Sequence, residues 1–174
     1  MIKRILLVLT LLWGTLLTPA KAQQSNWDAA TVKSLCNLVA NGGDGVEYTM
    51  SDYQLVNNLT HGDGYGFSSL YARHAKVDYN GNVKSLTGGG VSNVVVVSHR
   101  TDHTGACHVA SSFFSAANAT KFRQQALDLG FQKSKTQGGQ TFYKHSEVPG
   151  IEIIEQKSRS GKYTLWVFTI HIVY

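Results

Sequence analysis

The stretch Tyr163-Thr-Leu-Trp-Val-Phe-Thr-Ile-His-Ile-Val-Tyr174 reads as one strand that is apolar on both faces. Trp166, Phe168, Ile170 and Ile172 fall on one side, and Leu165, Val167 and Val173 on the other. Side chains alternate across a strand, so a strand with one wet face needs apolar residues on one side only. Two apolar sides place this one in the middle of a sheet, covered above and below. A strand in the middle needs neighbours, and the preceding residues supply them.

Ser160-Gly161 turns back into Ile151 to Lys157, and Pro149-Gly150 turns that segment away from Gln140 to His145. Gly138-Gly139 then joins Gln140 to His145 with Phe131 to Gln137. Ahead of these strands, Ala119, Phe122, Ala126 and Leu129 make the apolar face of a helix from Ala119 to Leu129, capped by Asn118 and stopped by Gly130. This half is an α-β-β-β-β unit.

The first half is looser. Trp27 to Ala40 has Val32, Leu35, Cys36 and Val39 at i, i+3, i+4 and i+7. That predicts a helix capped by Ser25 or Asn26, with Asp28 in its first turn and Asn41-Gly42-Gly43 after it. Val46 to Met50 is expected as a short strand, and the polar, Gly-rich run Asn57 to Gly66 as a loop. Phe67 to Tyr79 and Val83 to Leu86 flank Asn80-Gly81, a tight-hairpin dipeptide. Gly88-Gly89-Gly90 is a hinge, Val91 to Ser98 a buried valine strand, and Ala106 to Phe114 a further strand.

The expected fold is therefore α+β: an antiparallel β-sheet with two amphipathic helices packed on one face. One domain from Gln23 to Tyr174 accommodates this, as do two tandem α-β-β-β(β) halves meeting near residues 115–117.

The start of the chain reads as a cleaved secretory signal over residues 1–22. Lys3 and Arg4 precede the short apolar run Ile5 to Leu17, then Thr18-Pro19 and the small-residue exit Ala20-Lys21-Ala22. The run is too short for a spanning helix, which takes about 20 apolar residues. No membrane span is expected after cleavage, and the location is periplasmic or secreted. The full chain carries +5, but Lys3, Arg4 and Lys21 belong to the signal and all eleven acids lie beyond it. Lys and Arg are not clustered in the remainder, which excludes an electrostatic footprint for nucleic acid.

Cys36 and Cys107 are the two cysteines, and in an exported chain an even count points to a disulfide between them. The densest group of reactive side chains is His99-Arg-Thr-Asp-His103-Thr-Gly-Ala-Cys107-His108. Three imidazoles on the flanks of one turn are a candidate zinc or copper site through His99, His103 and His108, although no familiar ligand spacing is matched. Apart from this, no cofactor is expected.

His61-Gly-Asp63-Gly-Tyr65-Gly66-Phe67 lacks the strand-before, helix-after setting of a phosphate loop. It reads as a partner-binding loop through His61, Asp63, Tyr65 and Phe67. Glu152 and Glu155 fall on opposite faces of a strand and cannot form a glycosidase pair. There is no G-x-S-x-G elbow.

The sequence thus leads to a small exported binding module for a protein, peptide or envelope component, rather than to an enzyme. Two further readings remain, a metal-binding protein or metal-dependent enzyme and a small outer-membrane β-barrel. The barrel reading rests on the alternating, aromatic-ended final strand.

Overall fold

The structure is a computed structural model that describes residues 27–61, 66–100, 106–147 and 150–173. The expected signal segment lies outside them.

Among the described residues there are two helices of more than one turn, α1 (Val32–Ala40) and α3 (Ala116–Asp128), with a single turn, α2 (Val46–Thr49), after α1. The strands are β1 (Gln54–Thr60), β2 (Gly66–Arg73), β3 (Ala75–Val77), β4 (Val83–Leu86), β5 (Asn93–Arg100), β6 (Cys107–Phe113), β7 (Phe131–Gln137), β8 (Gln140–His145), β9 (Ile151–Ser160) and β10 (Tyr163–Ile172). Eight of them form one antiparallel sheet in the order β1-β2-β5-β6-β10-β9-β8-β7, while β3 and β4 pair as a separate hairpin. The strand from Tyr163 occupies the middle, but only its Phe168 and Ile170 side is buried in the core, while Leu165 and Val167 on the other side are half-buried.

The order has an internal symmetry. The strands before residue 115 run outward-to-centre as β1-β2-β5-β6, those after it as β7-β8-β9-β10, and the two sets join through β6 and β10. Ala110 faces Thr169 across that join, with Val109 opposite Ile170 and Ser111 opposite Phe168. The sheet ends at β1 and β7, which do not pair with each other, so the described strands form an open sheet and no cylinder.

Register sorts the side chains into two faces. On the inner face Val95, Val97, Val109, Phe113, Ile153, Phe168 and Ile170 are fully buried. They share one cluster with Val32, Leu35, Leu38 and Val39 of α1 and with Ala119, Phe122 and Ala126 of α3. Phe113, Phe122 and Phe168 pack mutually with centroids 4.8–6.0 Å apart. Burying side chains of this size contributes about 1.5–3 kcal/mol each, so this cluster is the main source of stability. Arg123 of α3 donates from Nε (2.8 Å) and Nη2 to Glu155 of β9, and the Tyr143 hydroxyl donates to the same carboxylate at 2.8 Å.

The outer face carries a second, smaller cluster. Ala72 and Val94 pack there with Ala75 and, less deeply, Val56, Leu70, Val77 and Phe114, so the β3–β4 hairpin folds over the first half of the sheet. The chain reaches the hairpin by a corner at His74, whose φ of 49° puts a non-glycine residue in left-handed backbone. That corner is tied down on all sides. Thr87 N–H and Ser92 Oγ donate to the His74 carbonyl at 2.9 and 3.0 Å. Asp28 meets His74 Nε2 at 3.0 Å and Arg73 at 3.3 Å, and accepts from Val91 N–H at 2.8 Å.

Several local expectations are corrected. Trp27 to Ala30 is not helical; the N-cap is Thr31, whose side chain accepts from Ser34 N–H. Asp28, expected to serve a helix dipole, holds the His74 corner instead. Residues 46–49 wind as one helical turn after Gly45 at φ 82°, not as a strand. Gln54–Thr60, placed mostly in a loop, is edge strand β1. Asn80 does not adopt positive φ, and only Gly81 (82°) does. The hairpin loop is therefore closed by the Asp78 side chain, which accepts from Asn80 and Asn82 N–H. The α3 helix starts earlier than expected, with Ser115 in place of Asn118 at the N-cap position and no side-chain cap hydrogen bond.

Candidate functional site

The cysteines are free thiols, not the expected disulfide. Cys107 is buried on the inner face of β6, while Cys36 lines a recess with Phe131, His145 and Ile151 of β7 to β9. β9 lies two strands beyond β6, about 10 Å away at the usual strand spacing, farther than bridged Cα atoms reach. Burial pushes the Cys36 thiol up to about 12 and that of Cys107 up to about 11, so neither is a thiolate nucleophile near neutrality.

The histidine cluster is also taken apart. Register places His99 opposite Cys107, on the inner face, and His108 opposite Ser98, on the outer face. The two imidazoles leave opposite sides of the sheet and cannot ligate one ion. His103 lies outside the described residues. Among the described residues no three His, Cys, Asp or Glu side chains are grouped to hold a metal. His99 instead stacks on Phe67, with centroids 5.8 Å apart, and lies against Gly43. A Cβ at Gly43, where φ is 97°, would press on the His99 side chain at 3.0 Å, so glycine is needed at this contact.

The expected partner-binding loop divides likewise. Asp63 and Tyr65 lie outside the described residues. Phe67 faces inward with His99, whereas His61, just past β1, shares a 2.8 Å hydrogen bond from Nε2 with Ser68 Oγ of β2. The imidazole fits there because residue 66 is glycine; a Cβ on Gly66 would strike the ring.

From His61 a polar row crosses the outer face. Ser68 Oγ shares a 2.8 Å hydrogen bond with Ser98 Oγ of β5. Ser98 faces His108 of β6, His108 faces His171 of β10, and His171 faces Glu152 of β9. Glu152 is buried and meets Lys144 Nζ of β8 at 3.8 Å. Burial holds the His108 imidazolium below its ordinary value, and the neighbouring His171 and His61 push in the same direction. Sequence reasoning missed this row because it joins residues of six strands through register. The visible hint was that His108 and His171 each sit within a strand.

Next to the row, two residues along each strand, lies an open cleft of about 330 Å³. Leu70, Val96 and Leu59 line it from the sheet, Tyr79, Asn80 and Gly81 from the hairpin tip, and Asn57 and Ser68 from the rim. Asn57 Nδ2 donates to the Tyr79 carbonyl at 3.2 Å, fixing the tip to the edge strand. Most of the lining is apolar. This is the size and character of a pocket for one small ligand. At the end of the polar row, a smaller recess of about 220 Å³ is lined by His61, Ser98, Arg100 and His108, among others.

Neither a family model, nor a curated protein, nor a solved structure matches this chain.

Proposed function

We propose that this protein is an exported binding module whose ligand enters the cleft between the β3–β4 hairpin and the outer face of the sheet. Both helices are assigned to the inner face, which leaves the outer face to the ligand. The observation that carries the reading is the cleft itself. It is concave, about 330 Å³, mostly apolar, and closed on one side by a hairpin tip tied to the edge strand. Export is supported by the charged start, the short apolar run Ile5 to Leu17 and the small residues at Ala20 and Ala22. No nucleophile–base–acid set accompanies the cleft among the described residues, so the reading is binding and not turnover.

Nile red, a neutral apolar dye, tests it. Saturable one-site fluorescence enhancement is expected. Leu59→Asp, at a half-exposed position on the edge strand, should abolish it. A dye response unchanged by that substitution would remove the cleft as the site.

A further inference from the structure

We propose that the ligand is a single-chain amphiphile with a carboxylate head, its chain in the cleft on Leu59, Leu70 and Val96 and its head on Ser68, Ser98, His61 and His108. This rests on the cleft reading and adds the chemistry of the ligand to it.

The two parts of the face are in register for such a molecule. Ser68 and Leu70 are two residues apart on β2, as are Val96 and Ser98 on β5 and His108 and Ala110 on β6. All six point outward, so an apolar row and a polar row run side by side, about 7 Å apart by strand geometry. One end of the cleft therefore opens onto hydrogen-bond donors. Each serine hydroxyl can turn its proton toward an anion, and the imidazoles flank the pair on either side. Ser68 already lies both in the cleft lining and in the chain of hydrogen bonds from His61 to Ser98.

Charge favours an anion. Among the described residues this face of the sheet carries one acid, Glu152, and Lys144 pairs with it. Glu155 faces inward and is held by Arg123. On the hairpin, Asp78 is paired with Lys84 at 2.8 Å. Among the described residues, cation-capable groups outnumber acids around the head position. His61, His108 and His171 lie along the row. Burial first, and then the neighbouring His171 and His61, make His108 a poor cation on its own, which an adjacent carboxylate would relieve.

The experiment uses the purified protein with three probes below their micelle concentrations: dodecanoate, dodecan-1-ol and dodecyltrimethylammonium. Affinities come from calorimetry, and the site from methyl NMR of Leu59, Leu70 and Val96. Dodecanoate is expected to bind one-to-one and about tenfold or more tighter than the alcohol, the worth of charge-assisted hydrogen bonds. The ammonium probe is expected to bind more weakly than the alcohol. Ser98→Ala combined with His108→Ala should lower dodecanoate affinity to the level of the alcohol, with far-UV circular dichroism confirming the fold. Equal affinity for dodecanoate and dodecan-1-ol in the wild-type protein would overturn the head-group assignment and leave the cleft standing. Methyl shifts absent with all three probes would overturn the cleft as well.

Discussion

Arg123, Glu155 and Tyr143 hold the sharpest electrostatic commitment in the molecule. Burial by itself would raise the Glu155 carboxyl, but the hydrogen bonds from Arg123 and Tyr143 outweigh it and hold the group below its ordinary 4.5. Asp28 behaves alike: burial raises it, and Val91 N–H, His74 and Arg73 together bring it below 3.8. A carboxyl depressed in the folded state stabilises the fold above the ordinary carboxylate range, and that contribution is lost as pH falls through the folded value. The protein should thus lose stability on acidification below about pH 4.5. Removing the guanidinium in Arg123→Ala leaves a half-buried carboxylate without its partner and should cost about 3 kcal/mol at pH 7. The deficit should shrink toward pH 3, as Glu155 takes up a proton and the pair weakens. Urea titrations at the two pH values measure it, and a deficit independent of pH would remove the ion pair as its source.

Among the elements, the β3–β4 hairpin matters most for function and depends most on single residues. Gly81 sits at φ 82° in the loop that Asp78 closes, and a Cβ placed there would meet Leu70 Cδ2 at an ordinary 3.9 Å, so the backbone alone demands glycine. Gly81→Ala should cost about 1 kcal/mol for the left-handed backbone and displace Tyr79 and Asn80 at the cleft mouth. Nile red affinity should fall by more than the change in melting temperature accounts for. Normal dye affinity in this variant would show that the tip does not shape the site. The hairpin was legible in the sequence because Asn80-Gly81 is a local signal, although the turn type was not. Edge strand β1 was illegible for a physical reason: Gln54–Thr60 is mostly exposed, so it carries no alternation of apolar and polar residues. The polar row was hidden for another: Ser68, Ser98, His108 and His171 meet only through register between strands far apart in the chain.

At the level of the whole molecule, the two sets of strands depend on each other. The β6–β10 join lies at the middle of the sheet, and the inner cluster draws residues from both α1 and α3. The alternative of two tandem halves would have them meet near residues 115–117, at the passage from β6 to α3. Dividing the chain there would expose Val109, Phe113, Phe168 and Ile170, all fully buried. Each fragment alone should therefore lack the near-ultraviolet dichroism of a packed core, and mixing them should restore it. Two independently folded fragments would show that the symmetry reflects separable domains. The place of the middle strand was the most legible feature of all, although only its Phe168 and Ile170 side is fully packed and Leu165 and Val167 on the other side are half-buried.

The two rims of the sheet differ in a way that bears on handling the protein at high concentration. β7 presents Lys133 and Lys135 along its open margin, whereas Gln54–Thr60 has no charged side chain and leaves Leu55 and Leu59 about half exposed. Like charges repel an approaching copy at the first rim, and no charged side chain of residues 54–60 does so at the second. Colloidal instability, where it arises in storage or crystallisation, should begin by strand-to-strand growth at residues 54–60.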